Sequence, residues 1–233
     1  MNPELLWLCT VGLDLGAAIL LYRIFGRVGL YAVVVFSLLL ANVLGPKLTM
    51  IFGLQTSLGV ILYSSIFFAT DLLNEKYGRA EAQKAVMLGF SVSVLLVLIT
   101  QIALQFEPSN DPKTQAFAQS IHAATQALFD FTPRFVAGSL LAYLLSQSLD
   151  VWVFHRIRQA TQGRHLWLRN TGSTLISQAL DTLIYGVVVW WGIVDFTTAM
   201  QLAAAKYVFK FVIAVIDTPF IYWAMRFPVK RSV

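Results

Sequence analysis

The sequence predicts an all-α, polytopic membrane helix bundle of about seven transmembrane helices, N-terminus out and C-terminus in, in one domain over residues 1–233. Three observations predict it. Hydrophobic residues make up 58% of the chain and charged residues 12%, with a mean hydropathy of +0.70. Soluble domains carry roughly 25% charged residues. This chain has too little polar surface to cover a water-exposed globule, so the bilayer must be its solvent. Seven apolar stretches are long enough to cross a bilayer, and the Lys and Arg residues between them fall almost entirely on one side.

A crossing helix needs about 20 mostly apolar residues, because each rises about 1.5 Å through a core about 30 Å thick. The stretches are 5–22, 28–44, 51–73, 84–106, 131–154, 172–194 and 197–227. They are continuous rather than alternating, which selects helices over barrel strands. The first two are short, and the last is long enough to tilt. The N-terminus lacks a basic region ahead of the first run, so no removable signal peptide is expected and that helix stays. Cys9 is a lone cysteine; it excludes an intramolecular disulfide or a cysteine-based metal cluster and reads as a small buried hydrophobe. One outer loop is long, 107–130, with Pro108, Asn110, Asp111 and Pro112 followed by a milder stretch, 116–128, that suits a short helix lying at the outer surface. On the other side, 155–171 is the one sizeable loop.

The positive charges set the direction. Arg23, Arg27, Lys76, Arg79, Lys84, Arg156, Arg158, Arg164, Arg169, Arg226, Lys230 and Arg231 lie in or beside the loops of one side. Only Lys47 and Lys113 lie on the other. Twelve against two is the positive-inside asymmetry of an odd-span protein. The net charge of +5 and pI near 9.4 are therefore a topology signal, and no nucleic-acid partner is implied.

Ionisable side chains inside the bilayer cost roughly 2.5–3.5 kcal/mol each on insertion scales and usually face a partner or a cavity. Asp14, Asp71, Arg134, Asp150, Asp181, Lys206, Lys210 and Asp217 lie in or near the spans. Helical spacing lets them converge. Ser173, Ser177, Asp181 and Tyr185 recur every fourth residue, with Gln178 beside them; Lys206, Lys210 and Asp217 share a face; so do Ser64 and Asp71, and Gln147 and Asp150. Asn42, Arg134 and Lys206 then lie towards the outer leaflet, Asp181 and Lys210 near the midplane, and Asp71, Asp150 and Asp217 towards the cytoplasm. Lys210 and Asp181 could also form a fixed ion pair, and Ser177 could bond a neighbouring helix, but polar groups at three depths favour a solute path. Asp14 differs. It sits in Gly12-Leu13-Asp14-Leu15-Gly16, a small-xxx-small pattern suited to packing or a dimer contact. An enzyme is not expected: His122, His155 and His165 fall outside or at the edge of the spans, and no nucleophile elbow or phosphate loop appears. No cofactor or metal is implied.

Ala69-Thr70-Asp71-Leu72-Leu73-Asn74-Glu75-Lys76-Tyr77-Gly78 with Ala80–Ala85, then Ser146–Phe154, Leu166–Asn170, Ser173–Tyr185, Tyr207–Lys210 and Asp217–Tyr222, resemble the signature of the queuosine precursor transporter (VUT) family. The likeness spans about Ala41 to Tyr222. It implies a six-helix core to which residues 5–22 add an N-terminal helix, so Asp14 inherits no family role. It further implies a homodimer that imports 7-deazaguanines, such as the cyano and aminomethyl precursors, across the bacterial inner membrane. The candidate substrate-binding residues are Asn42, Asp71, Arg134, Gln147, Asp150, Ser173, Ser177, Gln178, Asp181 and Lys210. A carboxylate such as Asp181 or Asp71 can accept the N–H and exocyclic amine of a deazaguanine; Lys210, Arg134, Asn42 or Gln178 can donate to its carbonyl; Phe67, Phe68, Tyr185, Tyr207 and Phe209 lie close enough in sequence to stack. A substrate-binding subunit of a multi-chain importer for another vitamin-like or purine-like solute, and a non-transporting scaffold, are the alternatives. Energy coupling stays open between facilitated, proton-coupled and partner-ATPase schemes.

Overall fold

A computed structural model describes residues 2–45, 47–130, 133–185, 188 and 195–229. Among them are eight α-helices and one small hairpin. Helix α1 (Pro3–Phe25) starts where Asn2 accepts the Glu4 amide, with Pro3 in the first turn and Glu4 complementing the helix dipole. It ends at Gly26, whose φ of +59° turns the chain straight into α2 (Arg27–Leu44). The corner is tight: a methyl on Gly29 would stand 2.2 Å from the Leu21 carbonyl oxygen.

The expected third span, 51–73, is not one helix. Leu48–Ile51 (β1) and Leu54–Ser57 (β2) form an antiparallel hairpin, closed by Phe52 and Gly53, both at positive φ. That is the conformation a two-residue primed turn demands. A 3-10 turn, Leu58–Leu62, follows, and only then α3 (Tyr63–Tyr77). Gly59 explains the break. Its Cα region touches α2 so closely that a Cβ would lie 2.4 Å from the Ala41 carbonyl oxygen. Helix α4 (Arg79–Ala103) returns across the bundle, and α5 (Gln115–Phe129) lies outside it with no buried residue, as the mild 116–128 stretch suggests.

Helix α6 (Pro133–Ala160) and α7 (Leu166–Tyr185) form a long antiparallel pair. The loop expected over 155–171 shrinks to 161–165, because Gln162, Gly163 and His165 all take positive φ and turn the chain sharply. Residues 131–132 of the fifth expected span and 186–187 and 189–194 of the sixth lie outside the described residues, as do Lys230 and Arg231. Helix α8 (Phe196–Met225) carries Pro219 internally, which supplies no amide to the Val215 carbonyl; the Thr218 hydroxyl bonds the Ala214 carbonyl one residue before it.

Among the described residues, five helical segments are long and apolar enough to cross a membrane: Pro3–Phe25, Arg27–Leu44, Arg79–Ala103, Val136–Ala160 and Ala203–Met225. Helix α3 is too short by itself, and α7 is made polar by Arg169, Asn170 and its hydroxyl stripe. The basic residues gather at one end of the bundle. There Lys76 donates to the Ala224 carbonyl of α8 and to the Phe227 carbonyl just beyond it, Arg23 covers the Phe227 ring at 5.7 Å, and Arg27 bonds Glu81 at 2.9 Å. The hairpin lies at the other end, where Phe52 meets Glu4 and Trp7 of α1. Cys9 corrects one expectation: it is exposed on the outer face of α1, not buried.

Candidate substrate-binding site

Three polar layers stack inside the bundle. At the basic end, Arg169 forks onto Glu75 (2.9 and 2.8 Å) and also donates to the Gly163 and Arg164 carbonyls. Arg158 lies 3.7 Å from Glu75 and donates to the Asn74 carbonyl at 3.2 Å. A planar guanidinium satisfies a carboxylate this way better than an ammonium does. The layer staples the loop between α6 and α7 to the C-terminal end of α3. Every polar group named in it has a partner.

The middle layer is built by α3, α6, α7 and α8. Asp71, Asp150 and Asp217 are buried and within electrostatic reach of one another. Ser177 donates to Asp150 at 3.0 Å, and Asn170 donates to Asp217 at 2.8 Å and to Thr218 at 3.1 Å. The Asn74 amide bonds the Val151 carbonyl at 2.9 Å, holding α3 to α6. Beyond it, Lys210 of α8 donates to Asp181 of α7 at 2.6 Å, with both side chains at most 2% exposed. Lys206 stands 3.8 Å from the same oxygen, and the Lys210 ammonium sits 4.3 Å from the centre of the Tyr63 ring. A desolvated cation over a ring face gains cation–π attraction on top of its ion pair.

Asp71, Gln147, Asp150, Ser173, Ser177, Gln178, Asp181 and Lys210 are all buried side chains within the bundle. Asn42, near the end of α2, is half-buried. The Arg134 side chain lies outside the described residues, as does that of Tyr185. Both amide atoms of Gln147 and of Gln178 are buried without a hydrogen-bond partner among the described residues. The pair anticipated between Lys210 and Asp181 forms, and Ser177 does bond a neighbouring helix.

Two aromatic expectations change. Phe209 turns away from the polar stripe to pack edge-on against Trp7 at 5.9 Å, since a buried ring finds its partner on α1. Tyr63 takes the place beside Lys210, with Phe67 6.3 Å from it. Tyr63 escaped notice because its neighbours in sequence read as the middle of an apolar helix. Asn170, Thr174 and Asp217 join the middle layer too; the four-residue spacing Asn170–Thr174 continues the α7 stripe and was the available signal. Ser64, seven residues before Asp71 on α3, meets a different partner. It donates to Asp14 at 2.9 Å, and the Ser65 amide adds a second bond at 3.2 Å, so Asp14 packs α1 onto α3. Gly12 and Gly16 are uncovered: nothing among the described residues outside α1's own backbone comes within 4 Å of a Cβ at either.

A multi-pass helical bundle that buries carboxyl groups, a lysine and unpaired amides is built as a small-solute membrane carrier. Residues 57–224 match the family described as "Putative vitamin uptake transporter", and the chain belongs to that family. Among curated proteins it is 42% identical over 209 residues to the "Probable queuosine precursor transporter" of Bacillus subtilis (strain 168), covering 89% of this chain and 88% of that one. It is 31% identical over 169 residues to the "Queuosine precursor transporter" of Escherichia coli (strain K12), covering 71% of each. No solved structure matches.

Proposed function

We propose that this chain imports queuosine precursors, 7-deazaguanines such as 7-cyano-7-deazaguanine and 7-aminomethyl-7-deazaguanine, across the bacterial inner membrane. In this reading it has seven spans with the N-terminus outside and the C-terminus in the cytoplasm, and it works as a homodimer. The observation that carries the reading is the pair of buried, unpartnered amides, Gln147 and Gln178, three residues before Asp150 and Asp181 on adjoining helices. A buried polar group left unpaired costs about 1–3 kcal/mol. A planar solute with an N–H, an exocyclic amine and a carbonyl on its edges offers what two amides lack.

Lys210 already occupies Asp181, so the amides are the better first contacts in this proposal, and Tyr63, beside Lys210, with Phe67 is proposed to stack on the ring system. Asn42, Asp71, Arg134, Asp150, Ser173 and Ser177 remain in the proposed path. The gathering of basic residues at one end supports the orientation. The uncovered Gly12 and Gly16 on α1 support a second copy there.

The test is uptake by purified, reconstituted protein from a panel of deazaguanines, with guanine, adenine and an unrelated vitamin as competitors. Saturable uptake of a deazaguanine is expected; none, from protein shown to be folded, sinks the reading. In a Cys9→Ser background, Lys113→Cys should react with an impermeant thiol reagent in intact cells, and Arg164→Cys only after permeabilisation. The reverse pattern would invert the topology.

A further inference from the structure

We infer that Asp71, Asp150 and Asp217 form a proton-carrying site that couples solute movement to proton flow, an inference that rests on the carrier reading above. The three carboxyl groups come from α3, α6 and α8 and are 0%, 0% and 1% exposed. Ser177 satisfies one oxygen of Asp150 and Asn170 one oxygen of Asp217. The other oxygen of each, and both oxygens of Asp71, meet no donor among the described residues. The Asn74 amide, one turn on from Asp71, bonds the Val151 carbonyl beside Asp150, so α3 and α6 hold these two carboxyl groups at one level. Two acceptors in that position attract only when a proton sits between them.

A second observation points the same way. Thr174, 1% exposed, lies on α7 between Asn170 and Ser177, which bond Asp217 and Asp150, and its hydroxyl has no hydrogen-bond partner among the described residues. With Ser173 and Ser177 it lines one wall of the cluster with groups that can both donate and accept, the property a proton relay requires. Among the described residues, the cations on neighbouring turns are engaged elsewhere. Arg169 and Arg158 hold Glu75, which faces Asp71 from one turn along α3. Lys210, held by Asp181, lies seven residues from Asp217, about 10 Å along α8. From α7, Ser173, Thr174, Ser177 and Asn170 face the cluster and none is titratable.

Three unneutralised carboxylates cannot be held out of water, so a cation must reside among them. Among the described residues no group of three His, Cys, Asp or Glu side chains stands at spacing suited to a metal ion. A proton asks less: one O–H bond on one carboxyl. In the step inferred, a proton from external water forms an O–H bond on a carboxylate of the cluster; that bond breaks toward the cytoplasm as the solute is released there. One proton moves inward per turnover, besides any charge the solute carries, and nothing is oxidised or reduced.

Two measurements on the full-length protein decide it. In proteoliposomes a pH gradient of one unit, acid outside, should drive about tenfold solute accumulation for one coupled proton, with an internal pH dye reporting proton entry only when solute is added. Asp71→Asn, Asp150→Asn and Asp217→Asn should each abolish the proton entry. Accumulation driven by a sodium gradient instead, or proton entry undiminished in all three variants, overturns the site. The second measurement needs no solute. The infrared carbonyl stretch of a buried protonated carboxylic acid should appear in the wild-type protein in detergent and shift in D₂O; its absence overturns the site even where a variant fails to fold. Failure of every deazaguanine to bind, with this band present, would sink the substrate reading and leave the proton site standing.

Discussion

Replacing Asp181 by Asn separates the two roles open to the buried ion pair. The change keeps shape and removes one charge, leaving the Lys210 ammonium, 1% exposed, with a neutral amide, the Tyr63 ring at 4.3 Å and the like charge of Lys206 nearby. Breaking one side of a buried pair costs about 3–5 kcal/mol, because the remaining charge stays desolvated. That is a factor of roughly a hundred to a few thousand in the folded population. Asp181→Leu with Lys210→Met removes both charges and should lie within about 2 kcal/mol of wild type, since an apolar pair of similar volume replaces a well-bonded one at little net cost. Unfolding in mixed detergent measures both, and uptake in proteoliposomes measures the function. The double variant is expected to be folded and to lose uptake. An Asp181→Asn protein within about 1 kcal/mol of wild type would refute the buried-pair energetics. A double variant that transports normally would make the pair a lock between α7 and α8 and nothing more.

Other consequences are as direct. Gln178→Leu should leave stability unchanged or higher, because it removes an unsatisfied buried amide, while weakening deazaguanine binding by about tenfold, as loss of one good hydrogen bond does; equilibrium binding in detergent checks it. Arg169→Lys should destabilise by about 2–4 kcal/mol, read by detergent unfolding, because an ammonium cannot keep both the fork onto Glu75 and the two loop carbonyls. Gly29→Ala should cost about 1–3 kcal/mol from its 2.2 Å backbone clash, whereas Gly12→Ala meets open space and should leave the single chain's stability unmoved. If Gly12 lines the proposed dimer face, Gly12→Leu will lower cross-linking between copies without changing that stability.

The bundle was legible because bilayer solvation imposes a length and a composition on every crossing element, and five helices meet both demands. Where the chain departs from that rule, the sequence misleads. Ile51, Phe52 and Leu54 are as apolar as any span, yet Phe52 and Gly53 turn the backbone back on itself. Hydropathy registers what a side chain is, not whether Gly59 must pass within touching distance of Ala41. The α7 stripe was legible for the opposite reason. Ser173, Ser177 and Asp181 lie on one helical face whatever surrounds them, so their convergence needs only helix geometry. Which partner each would find was not readable. Ser64 and Asp71, seven apart on α3, face different neighbours: Asp14 captures the first, and Asp150 and Asp217 stand by the second.

The polar layers also differ in how completely they are satisfied, and that difference has a physical meaning. At the basic end Glu75 has two arginines, and Lys76 caps α8. In the middle, four carboxylate oxygens and both ends of two amides lack donors or acceptors. A bundle selected only to hold together would replace such groups with apolar ones, which often stabilises a buried site. Their retention at the level where four helices meet, beside the paired Glu75, Arg158 and Arg169, places stability and function on different layers. Substitutions at the tied end should therefore be read as folding defects. Those at Gln147 or Gln178 should move binding while leaving unfolding where it was, and the opposite pattern would mean that the middle layer, too, serves only to join helices.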